Sequence, residues 1–462
     1  MLADPTFRID PALVPALVDV VGAPNVVTDP EVTASYAVDW TGRYRGSTPV
    51  VVRPGSTAEV VEVVHRCRSH AAALVPQGGN TGMVGGGVPL AGEVVCSLRR
   101  LDAVTEVDAV AGQLTAQSGV TLAGVQQAAA AAGWAYGVDL GGRDSATIGG
   151  NVATNAGGLR VLRYGDTRSQ VLGVEAVLGT GAVVSHLGGL VKDNTGYPLH
   201  ALLCGSEGTL GIVTAVRLRL VPPAPNRVVA LLGLPGPGAA VRAAQELRRT
   251  LPSLSAAEFM LEGGVALVSR TLGLPQPLSR PHAAYLLVEA AGASDPMEAL
   301  SEAVASLPEV EDAAVATEPG PASALFRYRE GHTEAVNSMG PPHKLDVSFP
   351  PDVLAEMIER MPAVVAAVAP QSQVWLFGHV GDGNVHVNVT GVDPDDERVD
   401  EAVFRAVAEV GGSISAEHGI GTAKRQWLHL GRSQSELEAF AAIKRALDPD
   451  GILNPNVLVA AG

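Results

Sequence analysis

The spacing of apolar residues divides the chain into regions of different rhythm. Apolar positions at helical spacing predict a helical lead-in over residues 1–45, and short strands separated by helices and glycine-rich loops follow over residues 46–225. Pro222, Pro223 and Pro225 end that region. Strands and helices then alternate over residues 226–424, as in an α+β sheet with helices on one side. A tail over residues 425–462 is expected to return to the first domain.

The first glycine-rich loop, residues 76–87 (PQGGNTGMVGGG), directly follows a predicted strand. Glycine lets the backbone curl so that successive N–H groups point at one spot, and Asn80 and Thr81 add side-chain donors. Such a nest suits a pyrophosphate, and a glycine-rich turn without a ligand is the alternative. The loop lacks the Gly-Lys-Ser/Thr of a Walker motif, and no G-x-G-x-x-G opens a helix as a nicotinamide-binding fold requires.

Two further glycine-rich stretches lie in the same region. Residues 141–165 contain so much glycine that we expect neither a regular helix nor a strand there. An exposed backbone of this kind allows a large flat ligand to approach, with Ser145, Asn151 and Asn155 among the polar groups available to contact it. Residues 204–214 (CGSEGTLGIVT) form a third loop that leads into a long predicted strand.

In the second region, residues 377–388 (FGHVGDGNVHVN) predict a β-hairpin. Asp382 and Gly383 favour a two-residue turn, which would place His379 opposite His386, with Asn388 on the same face. Two convergent imidazoles could begin a metal site, although two ligands do not complete one. An ordinary pair of histidines on a strand is an equally good interpretation of the hairpin alone.

Other polar residues of this region suggest an anion receptor and a further metal ligand. A helix predicted over residues 322–337 places Arg329 and Thr333 on one face, and Lys344 begins the next strand. Converging guanidinium, hydroxyl and ammonium groups would bind a carboxylate, whereas each alone is typical of a solvated surface. Glu417 and His418 follow a strand predicted over residues 412–415, and Glu417 is a candidate third metal ligand. A helix-capping glutamate beside an exposed histidine is the alternative.

Composition excludes several functional classes. The 462 residues carry a net charge of −16, and no basic stripe is present that would make nucleic acid the main partner. Apolar residues make up 47% of the chain, so it is globular rather than disordered. Three widely spaced cysteines favour a reducing compartment. Because no signal-like start or transmembrane-length apolar run is present, we expect a soluble cytoplasmic protein without a transmembrane segment.

Seven motifs, spread over nearly the whole chain, resemble those of the FAD-linked 2-hydroxyacid dehydrogenases of the vanillyl-alcohol oxidase flavoprotein superfamily. They are PQGGNTG, IGGNVATNAGG, KDNTGY, GSEGTLGIVT, GHVGDGNVHVNV, SAEHGIGTAKR and LDPDGILNP, in family order. Within that family the chain resembles the D-2-hydroxyglutarate and D-lactate dehydrogenases. The resemblance implies an α+β protein, in which a two-part FAD-binding domain of the vanillyl-alcohol oxidase type is joined to an α+β cap (substrate) domain with an antiparallel sheet.

The resemblance also implies roles for individual residues. His379, His386 and Glu417 would bind Zn²⁺ or Mn²⁺, and His418 would be the catalytic base. Substrate oxygens would contact Arg329, Thr333, Lys344, Asn388 and His418. FAD would be bound non-covalently, since no histidine lies in the pyrophosphate loop. It would contact Pro76, Gly78, Gly79, Asn80, Thr81, Gly82, Ser145, Gly149, Gly150, Asn151, Thr154, Asn155, Gly157, Glu207, Gly208, Ile212, Val213 and Asn454.

The implied reaction is oxidation of a D-2-hydroxy acid to the 2-oxo acid by hydride transfer to flavin N5. D-2-hydroxyglutarate is favoured because Lys344 and the following LDVS depart from a D-lactate pattern. Alternatives are a D-lactate or glycolate dehydrogenase, a metal-free flavin oxidase or transferase, and a non-catalytic flavin carrier. A flavin-free zinc hydrolase would leave the glycine-rich loops unexplained. An electron-transfer flavoprotein or a quinone is the expected electron acceptor, and a homodimer is one option for the assembly.

Overall fold

The computed structural model describes residues 9–459. Its strands are β1 (Val26–Val27), β2 (Val51–Val52), β3 (Leu74–Gln77), β4 (Val94–Ser97), β5 (Val104–Asp108), β6 (Gln113–Gln117), β7 (Val171–Leu178), β8 (Val183–His186), β9 (Gly211–Arg219), β10 (Asn226–Leu234), β11 (Leu254–Leu261), β12 (Ala284–Gly292), β13 (Asp312–Ala316), β14 (His343–Ser348), β15 (Gln373–Gly378) and β16 (Asn384–Thr390).

Its α-helices are α1 (Leu13–Val21), α2 (Pro30–Thr33), α3 (Thr57–Ser69), α4 (Leu122–Ala131), α5 (Ile148–Thr154), α6 (Val161–Tyr164), α7 (Thr167–Gln170), α8 (Leu199–Leu203), α9 (Pro237–Thr250), α10 (Glu262–Leu272), α11 (Met297–Ala305), α12 (Pro319–Glu330), α13 (His332–Asn337), α14 (Leu354–Ala366), α15 (Arg398–Glu409), α16 (Leu428–Gly431) and α17 (Gln434–Leu447).

These elements form two compact units. Unit 1 takes the described parts of Met1–Gly158, Gly165–Pro222 and Glu417–Gly462, whereas unit 2 takes Leu159–Tyr164 and Pro223–Ala416. The short segment that carries α6 therefore belongs to unit 2, although it lies within the sequence of unit 1. Unit 2 ends at Ala416, earlier than the boundary predicted at residue 424.

Unit 1 is built on two sheets. The first has the order β1-β2-β4-β3, in which β2, β4 and β3 run parallel and β1 pairs antiparallel with β2. Its core combines apolar faces of α1 and α3 with strand residues such as Leu74 and Cys96. Ser56 Oγ accepts the N–H of Glu59 and so caps the start of α3. The second sheet is antiparallel, with the order β5-β6-β9-β7-β8.

The C-terminal tail joins the first sheet of unit 1. Leu453 forms a parallel bridge with Leu74 of β3, and the N–H of Asn454 donates to the Leu74 carbonyl at 2.9 Å. The buried ammonium group of Lys444, on α17, donates to the carbonyls of Thr209 and Leu453. The tail and the third glycine-rich loop are therefore held by the same side chain.

Unit 2 is built on one antiparallel sheet of seven strands in the order β13-β10-β12-β11-β15-β16-β14. An apolar cluster that includes Met260, Tyr285 and Phe377 packs against α12. The predicted α+β class, with an antiparallel sheet in the second domain, is confirmed.

The prediction that residues 141–165 contain no regular structure was wrong, because α5 and α6 lie within them. Thr147 caps α5 by accepting the N–H of Gly150. A Cβ on Gly149 would overlap Ser118, so this glycine allows the helix to approach a neighbouring segment closely. Close packing and capping therefore outweigh the usual cost of glycine in a helix.

Two other local predictions were also wrong. The single helix expected over residues 322–337 is divided at Gly331 into α12 and α13, where a Cβ would overlap the Leu272 side chain of α10. Residues 412–415 form no strand; Ser413 makes only an isolated bridge to Ser348. The hydroxyl of Ser413 bonds the backbone of Ser415, and this local bond competes with continued strand pairing.

Candidate functional site

In unit 1, the loop after β3 packs tightly against the segment before α5. A Cβ on Gly78 would overlap the Thr147 hydroxyl, and one on Gly79 would overlap the Ser145 carbonyl oxygen. Arg99 donates to the carbonyls of Gly78 and Gly79, at 3.3 and 2.8 Å. The structure thus brings the first two glycine-rich loops together, and it leaves no room for a side chain at either glycine.

Four residues predicted to bind the cofactor have left-handed backbone conformations although they are not glycine. They are Asn80, Asn155, Glu207 and Asn454, with φ between 43° and 55°. Asparagine tolerates this region better than most residues, whereas glutamate does so rarely. Because backbone strain of this kind concentrates at ligand sites, its occurrence at these positions agrees with a shared binding role.

The side chains of these asparagines form hydrogen bonds that hold the loops in place. Asn80 Nδ2 donates to the Val38 carbonyl at 2.9 Å, so this donor, which the sequence suggested for an anion, bonds the protein. Asn155 Nδ2 donates to Asp166. Asn454 Nδ2 donates to the carbonyls of Gly86 and Glu207, at 2.8 and 2.7 Å. The tail therefore braces two of the glycine-rich loops.

Other predicted cofactor residues lie in the same unit but differ in what they expose. Ile212 and Val213, on β9, are buried in the apolar cores, which leaves only their backbone for a ligand. Thr154 donates to the Gly150 carbonyl within α5. Gly208 lies against Pro76, and no atom lies within 4 Å of a Cβ placed on Gly82. Thr81 and Gly157 complete the predicted set, in the loops after β3 and α5.

Unit 1 fits a large polar cofactor. The amide nitrogen of Asn151, on α5, is buried and has no hydrogen-bond partner among the described residues, and the Ser206 hydroxyl is in the same state. Buried polar groups are normally paired, so both suit contact with a ligand. Together with the closely packed glycines, they form a cradle compatible with FAD.

Glu207 makes contacts within unit 1 that the sequence did not suggest. Its carboxylate accepts the backbone N–H groups of Ile420 and Gly421, at 2.8 and 2.7 Å. Burial raises the pKa of Glu207 to about 7, although those N–H groups and Lys424 oppose the rise. Glu207 therefore holds the loop that begins just after His418.

In unit 2, the strand register collects polar side chains on one face of the sheet. Lys344 of β14 lies opposite Asn388 of β16, and Asp346 lies opposite His386. Residues two apart on a strand share a face, so these four residues line one surface. The register brings together two of the predicted substrate-binding residues and one predicted metal ligand.

The predicted two-residue hairpin turn was wrong, because His386 pairs with Phe377 and His379 lies in a five-residue loop between β15 and β16. Two hydrogen bonds tie this loop to other segments: the N–H of Gly381 donates to the Ala257 carbonyl on β11, and the N–H of Phe349, just after β14, donates to the Gly383 carbonyl. The two imidazole rings nevertheless converge, with centroids 5.4 Å apart.

Glu258, on β11, lies between two predicted site residues. Its Oε1 is 2.6 Å from His379 Nδ1, and its Oε2 accepts the Nε–H of Arg329 at 2.7 Å. All three side chains are buried. The Arg329 guanidinium also lies over the Phe377 ring, 4.8 Å from its centroid. Thr333 lies in α13, beyond the break at Gly331.

Asp346 is a second buried carboxylate near a predicted ligand. Its Oδ1 lies 3.6 Å from His386 Nδ1 and accepts the side-chain amide of Asn384 at 2.7 Å. Its Oδ2 accepts the N–H of Ala416 at 3.1 Å. Both candidate histidine ligands therefore have a carboxylate on their Nδ1 side, a common arrangement around metal-binding imidazoles.

Glu417 and His418 directly follow Ala416, the last residue of unit 2, and belong to unit 1. Glu417 Oε1 lies 3.8 Å from His418 Nε2. Imidazole and carboxylate groups are the donors that Zn²⁺ and Mn²⁺ prefer, so Asp346 and His386 offer two candidate ligands within unit 2.

Sequence reasoning missed Glu258 and Asp346. Each carries a recognisable signal: Glu258 interrupts the apolar run LSAAEFML, and Asp346 alternates with Leu345 and Val347 in KLDVSF. A charge at a strand position that should be buried points to a paired or functional group. Their partners, however, lie far away in sequence, so only the folded chain identifies them.

Comparison with known proteins agrees with this architecture. Residues 48–186 match the model of an FAD binding domain, and residues 224–458 match the C-terminal domain of FAD linked oxidases. The chain is 38% identical to a mitochondrial D-2-hydroxyglutarate dehydrogenase of Danio rerio, over 93% of this chain and 82% of the relative. It is 37% identical to a D-2-hydroxyglutarate dehydrogenase of Xanthomonas citri pv. viticola, over 97% of both chains.

A further relative, from Schizosaccharomyces pombe, is named provisionally as a mitochondrial D-lactate dehydrogenase and is 35% identical over 93% of this chain and 85% of its own length. Among solved structures, 4-ethylphenol oxidase from Gulosibacter chungangensis superposes with a TM-score of 0.78 at 19% identity, covering 99% of both chains. p-Cresol methylhydroxylase gives 0.78 at 17% identity, covering 97% of this chain and 96% of its own. At such identities the likeness concerns the fold.

Within the described residues, no helix combines the length and apolarity that crossing a bilayer requires.

Proposed function

The chain belongs to the family of FAD-linked oxidases that includes the D-2-hydroxyglutarate dehydrogenases, and from this premise we propose that it oxidises a D-2-hydroxy acid to the 2-oxo acid with FAD and a divalent metal ion. The observation that carries the proposal is the polar face of the unit 2 sheet. Lys344 and Asn388 are paired there beside Asp346 and His386. Anion-binding and metal-binding groups thus share one surface, as a hydroxy acid requires.

We assign the metal to His379, His386 and Glu417, as the family resemblance implies. The carboxylate groups near both Nδ1 atoms support this assignment, because a carboxylate beside Nδ1 is a common feature of metal-binding histidines. Zn²⁺ is favoured over Mn²⁺ by the imidazole content. When bound, the ion would lower the pKa of the substrate hydroxyl, and flavin N5 would receive the C2 hydrogen with its electron pair.

The protein groups then bind, orient and accept a proton. His418 would take the hydroxyl proton as general base, so that the freed oxygen electron pair forms the C=O bond while the C2 hydrogen leaves with the electron pair of the C2–H bond. Arg329, Thr333 and Lys344 would bind carboxylate oxygens, and Asn388 would bind the region of the hydroxyl. Because Arg329 and Lys344 supply two cations, a substrate with two carboxylates, such as D-2-hydroxyglutarate, suits the site better than a monocarboxylate.

Anaerobic flavin reduction tests this proposal. Purified protein is mixed without oxygen with the D and L forms of 2-hydroxyglutarate, lactate and malate, and with glycolate, while the visible flavin absorbance is followed. We expect D-2-hydroxyglutarate to bleach the flavin fastest and L acids to leave it oxidised. If no hydroxy acid bleaches it, the protein is a flavin carrier rather than this dehydrogenase.

D-lactate oxidation is the second candidate, supported by the relative named as a D-lactate dehydrogenase. Arg329 already donates its Nε to Glu258, so only its terminal nitrogens can bind substrate. A higher kcat/KM for D-lactate than for D-2-hydroxyglutarate in the same experiment would favour this candidate. Metal analysis of protein purified without chelator separates both from a metal-free flavin oxidase, which would contain none.

The proposal includes the fate of the electrons and the setting of the enzyme. An electron-transfer flavoprotein or a quinone would reoxidise the reduced flavin, and a cytoplasmic location agrees with the composition. Reoxidation rates with a quinone analogue, with electron-transfer flavoprotein and with oxygen would identify the acceptor. Fast reoxidation by oxygen alone would identify an oxidase instead.

A further inference from the structure

We propose that Glu258 is a positioning residue that serves the metal ligand His379 and the substrate-binding Arg329 at the same time. This inference rests on the proposed function, because it concerns the residues that would hold the metal and the substrate. It adds a role for a residue that touches neither group itself.

Each oxygen of the Glu258 carboxylate contacts a different side chain. Oε1 lies 2.6 Å from His379 Nδ1, and Oε2 lies 2.7 Å from Arg329 Nε. Glu258 is fully buried on β11, between the apolar neighbours Ala257 and Phe259. A buried charge is retained only when it is paired and hydrogen-bonded, and these two contacts meet that requirement.

The contact with His379 selects its tautomer. An ionised carboxylate only accepts hydrogen bonds, so Nδ1 must carry the proton and Nε2 must present its lone pair. The contact also restrains the rotation of the imidazole, which strengthens metal binding. Glu258 thereby prepares His379 before any ion arrives.

The contact with Arg329 restrains the guanidinium in the same way. A single bond to Nε holds its plane but leaves the two terminal nitrogens for a substrate carboxylate. The Phe377 ring below the guanidinium adds a second restraint, and it also lies 5.2 Å from the His386 ring. The proposed metal ligand His379 and the proposed substrate-binding Arg329 therefore both depend on the position of the Glu258 side chain.

Glu289 offers a matched control for a purely structural role. It is a buried glutamate on the adjacent strand β12 of the same sheet, and it pairs with Arg160 and the Ser255 hydroxyl. Neither partner is a predicted site residue. Glutamine at position 289 removes a buried ion pair of similar kind without altering the contact to His379.

The experiment compares wild type with Glu258→Gln and Glu289→Gln. A glutamine has one acceptor oxygen, so it cannot serve both His379 and Arg329. We expect Glu258→Gln to keep its FAD, to bind Zn²⁺ about 10–100-fold more weakly in chelator competition, and to raise KM for the hydroxy acid. Glu289→Gln should bind Zn²⁺ within a few-fold of wild type, by the same argument. Equal Zn²⁺ affinity in wild type and Glu258→Gln would overturn the proposal.

Two additional measurements keep the result decisive. If Glu258→Gln folds poorly, Glu258→Asp keeps the charge but is too short for both contacts, and it should weaken Zn²⁺ binding too. If wild type binds no Zn²⁺, the proposed function fails in its metal part, and the nitrogen NMR spectrum of the His379 ring decides the inference separately. Nδ1 protonated in wild type but not in Glu258→Gln supports it, whereas the same tautomer in both contradicts it.

A separate observation in unit 1 carries a second inference: we propose that the carboxylate of Glu207 positions the loop after His418 rather than contacting the flavin. Its carboxylate accepts the successive N–H groups of Ile420 and Gly421, and a Cβ on Gly419 would come within 3.0 Å of it. The backbone of Glu207 is itself held, since its N–H donates to the Ala153 carbonyl at 2.7 Å and its carbonyl accepts Asn454 Nδ2. A fixed backbone thus presents a fixed carboxylate to the loop.

This second inference also rests on the proposed function, in which His418 is the base. Glu207→Gln can accept only one of the two N–H bonds with its oxygen, so the loop should loosen. We expect FAD to stay bound, flavin reduction to slow by up to about 10²-fold because the base is misplaced, and amide exchange at residues 420–421 to accelerate. Glu93→Gln is the control, because Glu93 is a buried carboxylate of unit 1 that accepts Ala91 N–H and Asn456 Nδ2 instead.

If Glu207→Gln loses FAD but reduces each bound flavin at the normal rate, the inference is contradicted, and Glu207 is a cofactor-binding residue. If wild-type flavin is reduced by no hydroxy acid, the proposed function fails, and amide exchange alone decides the role of Glu207. Faster exchange at residues 420–421 in Glu207→Gln than in Glu93→Gln supports it, and equal exchange in the two variants overturns it.

Discussion

The two units build their candidate sites in different ways, and two buried glutamates show the difference. Glu207, in unit 1, is bonded chiefly by backbone N–H groups, whereas Glu258, in unit 2, is bonded by an imidazole and a guanidinium. Backbone donors are present whatever the side chain, so unit 1 shapes its loops through glycine and left-handed residues. Unit 2 places its chemistry on regular strands, where the identity of each side chain matters.

This difference implies different weak points. The site of unit 1 depends on close backbone approach, so an added methyl group should damage it more than the loss of a side chain. The site of unit 2 depends on paired side chains, and a change that removes one partner leaves the other buried without compensation.

The largest effect is expected for His418→Ala, at the start of the loop held by Glu207. Removal of a general base should slow flavin reduction by about 10²–10⁴-fold, while FAD and metal stay bound. Rapid-mixing absorbance under anaerobic conditions measures the rate, and metal analysis checks retention. A normal rate would show that His418 is not the base.

A slightly smaller effect is expected when the backbone cradle of unit 1 is blocked. Gly79→Ala would place a methyl group on the Ser145 carbonyl oxygen, and overpacking of this kind costs about 1–3 kcal/mol, which corresponds to roughly 5–150-fold in FAD affinity. The control is Gly188→Ala, also in unit 1, where no atom lies within 4 Å of the added Cβ. Titration of the FAD-free protein with FAD measures both, and equal affinities would contradict the packing account.

The smallest effect is a pair of opposite pH dependences, one in each unit. Because the pKa of Glu207 is raised, the folded protein binds a proton on this carboxylate more readily than the unfolded chain does. Protonation of Glu207 therefore stabilises the fold at low pH, and that stabilisation is lost as pH rises from about 4.5 to about 7. In unit 2, burial and then Arg329 lower the pKa of His332 from 6.5 to about 3. That contribution is lost as pH falls from about 6.5 to about 3.

Variants isolate these contributions from the other titrating groups. Between the two pKa values of each group, the slope approaches about 1.4 kcal/mol per pH unit. Glu207→Gln should therefore become less destabilising as pH rises from 5 to 7, and His332→Gln less destabilising as pH falls from 6 to 4. Denaturant melts across this range measure both slopes, and parallel pH profiles for wild type and variant would contradict the assignments.

The sequence predicted well where local signals agreed. The start of α17 carries a complete capping box at Ser433 and Glu436, a local signal that is visible in the sequence. It predicted poorly where distant strands decide the outcome. Asp382-Gly383 favours a two-residue turn, but the observed loop has five residues, and its backbone forms hydrogen bonds with Ala257 and Phe349.

The candidate site shows the same contrast between local motifs and contacts that are distant in sequence. Motifs of adjacent residues, such as GHVGDGNVHVN and SAEHG, make His379, His386, Glu417 and His418 candidates from sequence, and their roles stay predictions. Glu258 lies 71 residues from Arg329 and 121 from His379 in the chain, and no local pattern joins them. Groups that position others are found only when the fold brings distant segments together.

The central claim is that a metal bound by His379, His386 and Glu417 enables flavin reduction by a D-2-hydroxy acid. Its most direct test is anaerobic reduction by D-2-hydroxyglutarate of protein first stripped of metal by chelator and then given stoichiometric Zn²⁺. We expect the stripped protein to keep its FAD and remain oxidised, and the restored protein to bleach. Bleaching at the full rate without metal, or none after Zn²⁺ or Mn²⁺ is restored, would contradict the claim.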